Sequence, residues 1–412
     1  MQTDVIVLGA GMVGVSAAVH LKQKGFSVVL VDRRGAGEET SYGNTGIIER
    51  DALVPVGIPR DLRLLSYAFN LAPEANYHLS HLPKAAGWLL TLFANSGPAG
   101  IEAYARAINP LSALAVDEHR LMTAAARAER FIRHDGWLRL YRTARGFAGG
   151  DDLRRLADRY GLAHRVLSAG ELSEMEPHVK GPLYKAELWP ETDTVSWPEG
   201  LVKAYADLFL SLGGQFFAGE AQSLRQTETG WTVQAGGGPV EARHAVVALG
   251  PWSMDVLNPL GYRLPLASKR GYHMHFGAAG NATLTRPLVD VEYGYCLTPM
   301  QKGIRLTTAV EIADRDAPPT PRQLEQLKPI ARALFPLAEE RDETPWLGRR
   351  PAFPDSLPII GPAPRHKGLW LDFGHGHLGF TQGPVSGRLI AELIAGEPPV
   401  IDVSPYRAER FG

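Results

Sequence analysis

Short, near-continuous apolar runs alternate with helix-spaced amphipathic stretches along this chain. The first run, Asp4–Leu8, is apolar after its opening acid and predicts a parallel strand covered on both faces. Gly9, Gly11 and Gly14 follow it. The stretch from Met12 to Lys24 then predicts a helix, which Gly25 ends. Ser27–Val31 predicts a second strand, and Asp32 closes it.

Further along, residues 35–50 (GAGEETSYGNTGIIER) are polar and glycine-rich, which predicts a loop. Residues 51–135 carry apolar positions at helical spacing and predict a largely helical region. DGWLRLYRT alternates as a strand does, and GLVKAYADLFLSLG predicts a helix after Pro198. Several short strands end at His244–Leu249 and Gly250. YRLPLASKRGYHMHF and VEYGYCLTPMQKGIRLTTAVEIA predict an antiparallel sheet, and TPRQLEQLKPIARALFP a helix with Pro321 in its first turn. Near the end, LWLDF predicts a strand, GHGHLGF a glycine loop, and TQGPVSGRLIAELIAG a helix starting at that loop.

The opening segment carries chemistry. In strand–GxGxxG–helix, the first glycine permits a tight turn and the second lets backbone approach a pyrophosphate. The third lets helix and strand pack closely. Asp32 sits where a ribose hydroxyl is held; for Arg33, contact on the adenine side and plain solvation both stay open. Thr40, Ser41 and Asn44 supply hydrogen-bonding groups after the second strand, while Gly43 and Gly46 open space there. The glycine loop alone does not separate NAD from FAD. The distant GHGHLGFTQGP loop and its helix favour a longer cofactor reaching across the molecule.

Composition narrows the class. At 412 residues the chain exceeds one ordinary core. With 43 basic and 44 acidic residues, it has no basic surplus for nucleic acid. The single cysteine excludes an intrachain disulfide and any multi-cysteine metal site, and no metal is expected. No signal peptide is visible, and no apolar run approaches the roughly 20 residues of a spanning helix. This suggests a cytoplasmic protein, with peripheral contact at the inner face of the plasma membrane left open.

Six motifs then occur in order over almost the whole chain: VIVLGAGMVGVSAAVHL, EETSYGNTG, HAVVALGPWS, SKRGYHMHF, GRRPAFPDSLPIIGP and GHGHLGF. Together they resemble the FAD-dependent D-amino acid oxidase superfamily, in its DadA-like branch of D-amino acid dehydrogenases. The resemblance implies an α/β and α+β architecture. A discontinuous Rossmann-type FAD-binding domain (1–50, 196–255 and 345–412) would carry a mixed antiparallel-sheet and helical substrate domain (51–195 and 256–344).

FAD would lie along Gly9, Gly11, Met12, Gly14, Asp32, Arg33, Thr40, Ser41, Asn44, Gly46 and Gly250. Its ring would meet Gly376, Leu378, Gly379 and Thr381. Attachment would be noncovalent, because Gly348–Asp355, where some relatives tether the flavin, has no cysteine.

Arg350 matches the arginine that clamps the substrate carboxylate, and an arginine fork suits that planar anion. Tyr272 matches a pocket-lining position, and Tyr295 is a further candidate. A second arginine that some relatives carry is replaced here by Met300, with Arg305 further on. For His375 and His377, proton transfer and simple backbone bonding both stay open.

The implied reaction is oxidative deamination of a D-amino acid to a 2-oxo acid. Hydride passes from Cα to flavin N5, and electrons then pass to a quinone or respiratory acceptor. The alternatives are a cyclic or N-methyl substrate (D-proline, hydroxyproline, sarcosine), an oxygen-using oxidase, an NAD-dependent hydroxy-acid dehydrogenase, and a non-catalytic flavin-bearing electron-transfer subunit.

Overall fold

A computed structural model describes residues 1–412. The opening pattern forms as read: a strand Gln2–Leu8, a helix Met12–Gln23 and a strand Val28–Asp32. Val5 to Leu8 are all fully buried, because helices and the rest of the chain cover both faces. Val5 pairs in parallel with Val28 on one side and His244 on the other. Gln215–Gln226 extends this sheet beside Val28–Asp32, then turns back through Trp231–Ala235 to Gly238–Val247. Leu369–Phe373 adds in parallel to Gly238–Val247, and Ile359–Pro362 closes the seven-stranded sheet antiparallel. The carboxyl ends of the parallel strands meet near Gly9, Ala248 and Gly374, the edge where open α/β sheets take ligands.

The helix Met12–Gln23 is held by the C-terminal helix Gly379–Ala395. A Cβ on Gly383 would lie 2.6 Å from Met12 Cγ, and one on Gly387 would lie 2.5 Å from the Ala17 nitrogen. The two helices therefore touch backbone to backbone at these glycines. This joins the first and last parts of the chain into one module.

A second, eleven-stranded and mostly antiparallel sheet is built around the strand Ala267–Ala278. Gly303–Thr308, Tyr295–Met300, Leu288–Asp290 and Trp137–Tyr141 follow outward from one side of it. Trp346–Ala352 pairs with its other side. Placing residues from 345 onward in the nucleotide module is therefore corrected at its start: Trp346–Ala352 belongs to the second sheet. The largely helical reading of 51–135 is also modified. Arg63–Ala68, Leu82–Asn95 and Pro98–Ala125 are helices. However, residues 51–62 form no regular element, and Ala75–Tyr77 is a strand on Val310–Ile312. Within the loop 35–50, Ile47–Ile48 pairs briefly with Asp193–Val195, since both isoleucines are buried and need a ladder.

Gly387→Ala forces a methyl group into backbone and should cost about 1–3 kcal/mol. The check is urea unfolding of the wild type and the variant. An unchanged midpoint contradicts the close helix contact.

Candidate active site: a cavity between the two sheets

A cavity of about 440 Å³ runs from the carboxyl edge of the parallel sheet to the inner face of the second sheet. Its first end is a cradle of backbone. Gly9 adopts φ +107°, where a Cβ would meet the Ala248 carbonyl at 2.4 Å, so only glycine fits. The Met12 N–H donates to Ser41 Oγ (3.0 Å), tying the helix start to the second loop. Asp32 accepts the Ala10 N–H (2.7 Å) and the Arg34 N–H (3.0 Å). Burial raises its pKa, and those donors oppose the shift. The Arg33 guanidinium lies 4.5 Å from the centre of the Trp252 ring and pairs with Glu39.

Gly9, Gly11, Met12, Asp32, Arg33, Thr40, Ser41, Asn44, Gly250, Gly376, Leu378 and Gly379 line this cavity. Three expected positions do not. Gly14 faces the strand, and a Cβ there would lie 1.8 Å from the Gly9 oxygen. Gly46, at φ +71°, lies against the Val195 carbonyl. Thr381 is buried; its Oγ1 donates to Ile47 O and accepts the Glu49 N–H, both at 3.2 Å. These three shape the walls from behind. Arg305 does the same from the second sheet: it donates to the carbonyls of Tyr42 and Asn44 and anchors their loop.

The other end of the cavity is charged. Arg350 faces it and donates only to backbone, to Ala309 O (2.5 Å) and Thr308 O (3.2 Å). Burial lowers its pKa, yet a guanidinium stays cationic. Lys269 also lines this end. Its ammonium is pushed down to about 8 by burial and by Arg350. Glu49 lines the same end, its carboxylate 4.0 Å from His377 Nε2. Burial, with Asp51 nearby, pushes Glu49 up to about 8. The Cys296 thiol lies among these groups; burial and the Glu49 charge push it up to about 12. Burial pushes His375 and His377 down to about 3, so both are neutral, weak proton acceptors at pH 7.

The two tyrosines expected in this pocket point elsewhere. Side chains alternate along the Ala267–Ala278 strand. Lys269, Gly271 and His273 face the cavity; Tyr272 borders it too, but its ring packs in the opposite core. There its hydroxyl joins Arg270, Glu311 (3.0 Å) and the Thr320 N–H (2.7 Å). Tyr295 is likewise in that core, and its neighbour Cys296 takes the cavity side. Arg350 is thus the only one of the three expected catalytic side chains turned into the cavity.

The sequence model of the family described as FAD dependent oxidoreductase matches residues 4–393. The chain belongs to this family of FAD-dependent oxidoreductases. It is 31% identical over 425 residues to a D-amino acid dehydrogenase of Chromohalobacter salexigens, covering 99% of both chains. A D-amino-acid oxidase of Bradyrhizobium diazoefficiens is 29% identical, with 99% of this chain and 98% of that one covered. The fold is that of glycine oxidase from Geobacillus kaustophilus (TM-score 0.75, 21% identity, 99% and 98% covered).

FAD is the cofactor of this family, and the backbone cradle at Gly9–Met12, with Asp32 beside it, fits the adenosine diphosphate end. Glu49, Lys269 and Cys296 escaped the sequence reading as pocket groups. For Lys269 and Cys296 a signal existed: strand alternation puts each on the face opposite its neighbouring tyrosine. For Glu49 there was none, because it sits in an irregular loop.

Tyr272→Phe tests the corrected placement. It takes one hydrogen bond each from Arg270 and Glu311 and leaves the Thr320 N–H without its acceptor, so unfolding free energy should fall by about 1–3 kcal/mol. The rate of flavin reduction by substrate should hold. Altered kinetics at unchanged stability would return Tyr272 to the pocket.

Proposed function

We propose that this FAD-dependent oxidoreductase deaminates a D-amino acid oxidatively. One observation carries the reading: Arg350 presents a cavity-facing guanidinium bonded only to carbonyls, in a cavity that Glu49 also lines. A guanidinium and a carboxyl group lining one chamber complement the carboxylate and the amine of an α-amino acid. Arg350 binds the substrate carboxylate and fixes the Cα hydrogen toward the flavin. Glu49 receives the ammonium and takes its proton, leaving the neutral amine that oxidation needs. Bound FAD supplies the two-electron acceptor, at N5, and the resulting imino acid hydrolyses in water to a 2-oxo acid and ammonia. The D configuration is supported by the names of the two curated relatives.

FAD is taken as noncovalent, since Gly348–Asp355 offers no cysteine. For the acceptor, molecular oxygen has more support than the quinone or respiratory carrier expected from sequence. Oxidases are prominent among the related proteins, although one curated relative is a dehydrogenase. No helix is long and apolar enough to cross a membrane.

Arg350→Met removes the fork but keeps the stem. In anaerobic titrations it should retain flavin and raise the half-saturating substrate concentration by ~100-fold, the loss of about two charged hydrogen bonds. Wild-type flavin reduced by substrate should reoxidise in air at least as fast as turnover. Flavin loss in the variant, or unchanged affinity, rejects the clamp; slow reoxidation in air restores the dehydrogenase.

Glu49 gives a pH signature. Its raised pKa keeps it protonated below about 8, where it cannot accept the ammonium proton. kcat/KM should therefore rise as pH climbs through that value, and Glu49→Gln should remove this limb. A limb that persists in Glu49→Gln assigns the ionisation to another group.

A further inference from the structure

Arg350 has a like-charged neighbour that the α-carboxylate does not account for. Lys269 pairs directly with Arg350 in the register of the two strands, and both side chains line the cavity. Like charges directly opposite on one sheet face destabilise it unless an anion lies between or beside them. No Asp or Glu oxygen comes within 4.0 Å of either head group. Lys269 is only 7% exposed, and its Nζ donates to a carbonyl, Val56 O, at 3.0 Å. The ammonium also sits 5.3 Å from the centre of the Trp88 ring.

The two cations are anchored on different segments, Lys269 at Val56 and Arg350 at Thr308 and Ala309. One planar carboxylate saturates the arginine fork. The ammonium, with two of its three donors still free, then remains buried without an anion, which is costly. The flavin diphosphate does not supply that anion, because its cradle is the Gly9–Met12 backbone at the other end of the cavity.

We infer that the substrate carries a second carboxylate, bound by Lys269, so that the preferred substrates are acidic amino acids. This rests on the amino acid oxidation proposed above. Lys269 is then the residue that sets specificity, and the Trp88 ring and Val56 flank the place where the acidic side chain ends.

The test is anaerobic reduction of the flavin in the holoenzyme, titrated with aspartate, glutamate, asparagine, glutamine and alanine in both configurations. Each acid and its amide share a shape and differ in charge. The acids should half-saturate at concentrations at least about tenfold below their amides. Lys269→Met should shrink that acid-to-amide ratio by about tenfold or more, and Lys269→Arg should preserve it.

Acid and amide reducing the flavin alike, or the amide preferred, overturns the inference. So does a parallel loss for both in Lys269→Met, which would make Lys269 part of the α-carboxylate clamp. If Lys269→Met does not hold flavin, the wild-type ratio alone decides. Failure of every amino acid to bleach the flavin rejects the amino acid oxidation itself. Reduction by neutral amino acids without an acid preference rejects only the second carboxylate.

Discussion

Buried positive charge without an internal acid is the constraint on which the site depends. A guanidinium or ammonium removed from water loses several kcal/mol of hydration, and carbonyl oxygens return only part of it. Two buried cations in this protein are paired with acids: Arg270 lies against Glu311 at 2.7 Å, and Lys328 against Glu340 at 2.8 Å. Arg305, Lys269 and Arg350 have no acid within salt-bridge distance; Arg305 is spent on the Tyr42 and Asn44 carbonyls behind the wall, whereas Lys269 and Arg350 line the cavity. In the proposed function an anionic ligand completes their environment. Glu49, an acid held mostly neutral at pH 7, gives the same chamber a complementary group for an amine.

The fold delivers this arrangement through two periodicities. The parallel sheet brings its carboxyl ends together, so glycine turns from both ends of the chain meet along one cofactor path. The second sheet turns alternate residues inward. Lys269 and Arg350 reach the cavity from neighbouring strands, while Arg270 and Tyr272 reinforce the opposite core. Arg305 and Thr381 fix the intervening loop from behind.

What could be read in the sequence was mainly local. Strand, glycine turn, helix and Asp32 lie within one short stretch, and their chemistry is stated there. Arg350 is legible through its motif, but the placement of its segment with the nucleotide module does not show that its strand pairs with Lys269, about 80 residues away. Tyr272 is suggested by a family match in the sequence, whereas the face of the strand decides which side chain enters a pocket. Glu49 was hidden for a different reason. Its raised pKa arises from burial by segments that converge only in three dimensions. The glycine contacts of Gly383 and Gly387 with the first helix were likewise not legible from either segment alone.

In the proposed site Arg350 is an unpaired cation that takes a carboxylate. The most direct test is anaerobic titration of the oxidised holoenzyme with unreactive ligands, propionate against propionamide, followed by flavin absorption. Propionate should give a saturable perturbation that Arg350→Met abolishes, and the isosteric amide should give none. Equal perturbation by both ligands, or a propionate response that survives in Arg350→Met, would contradict it.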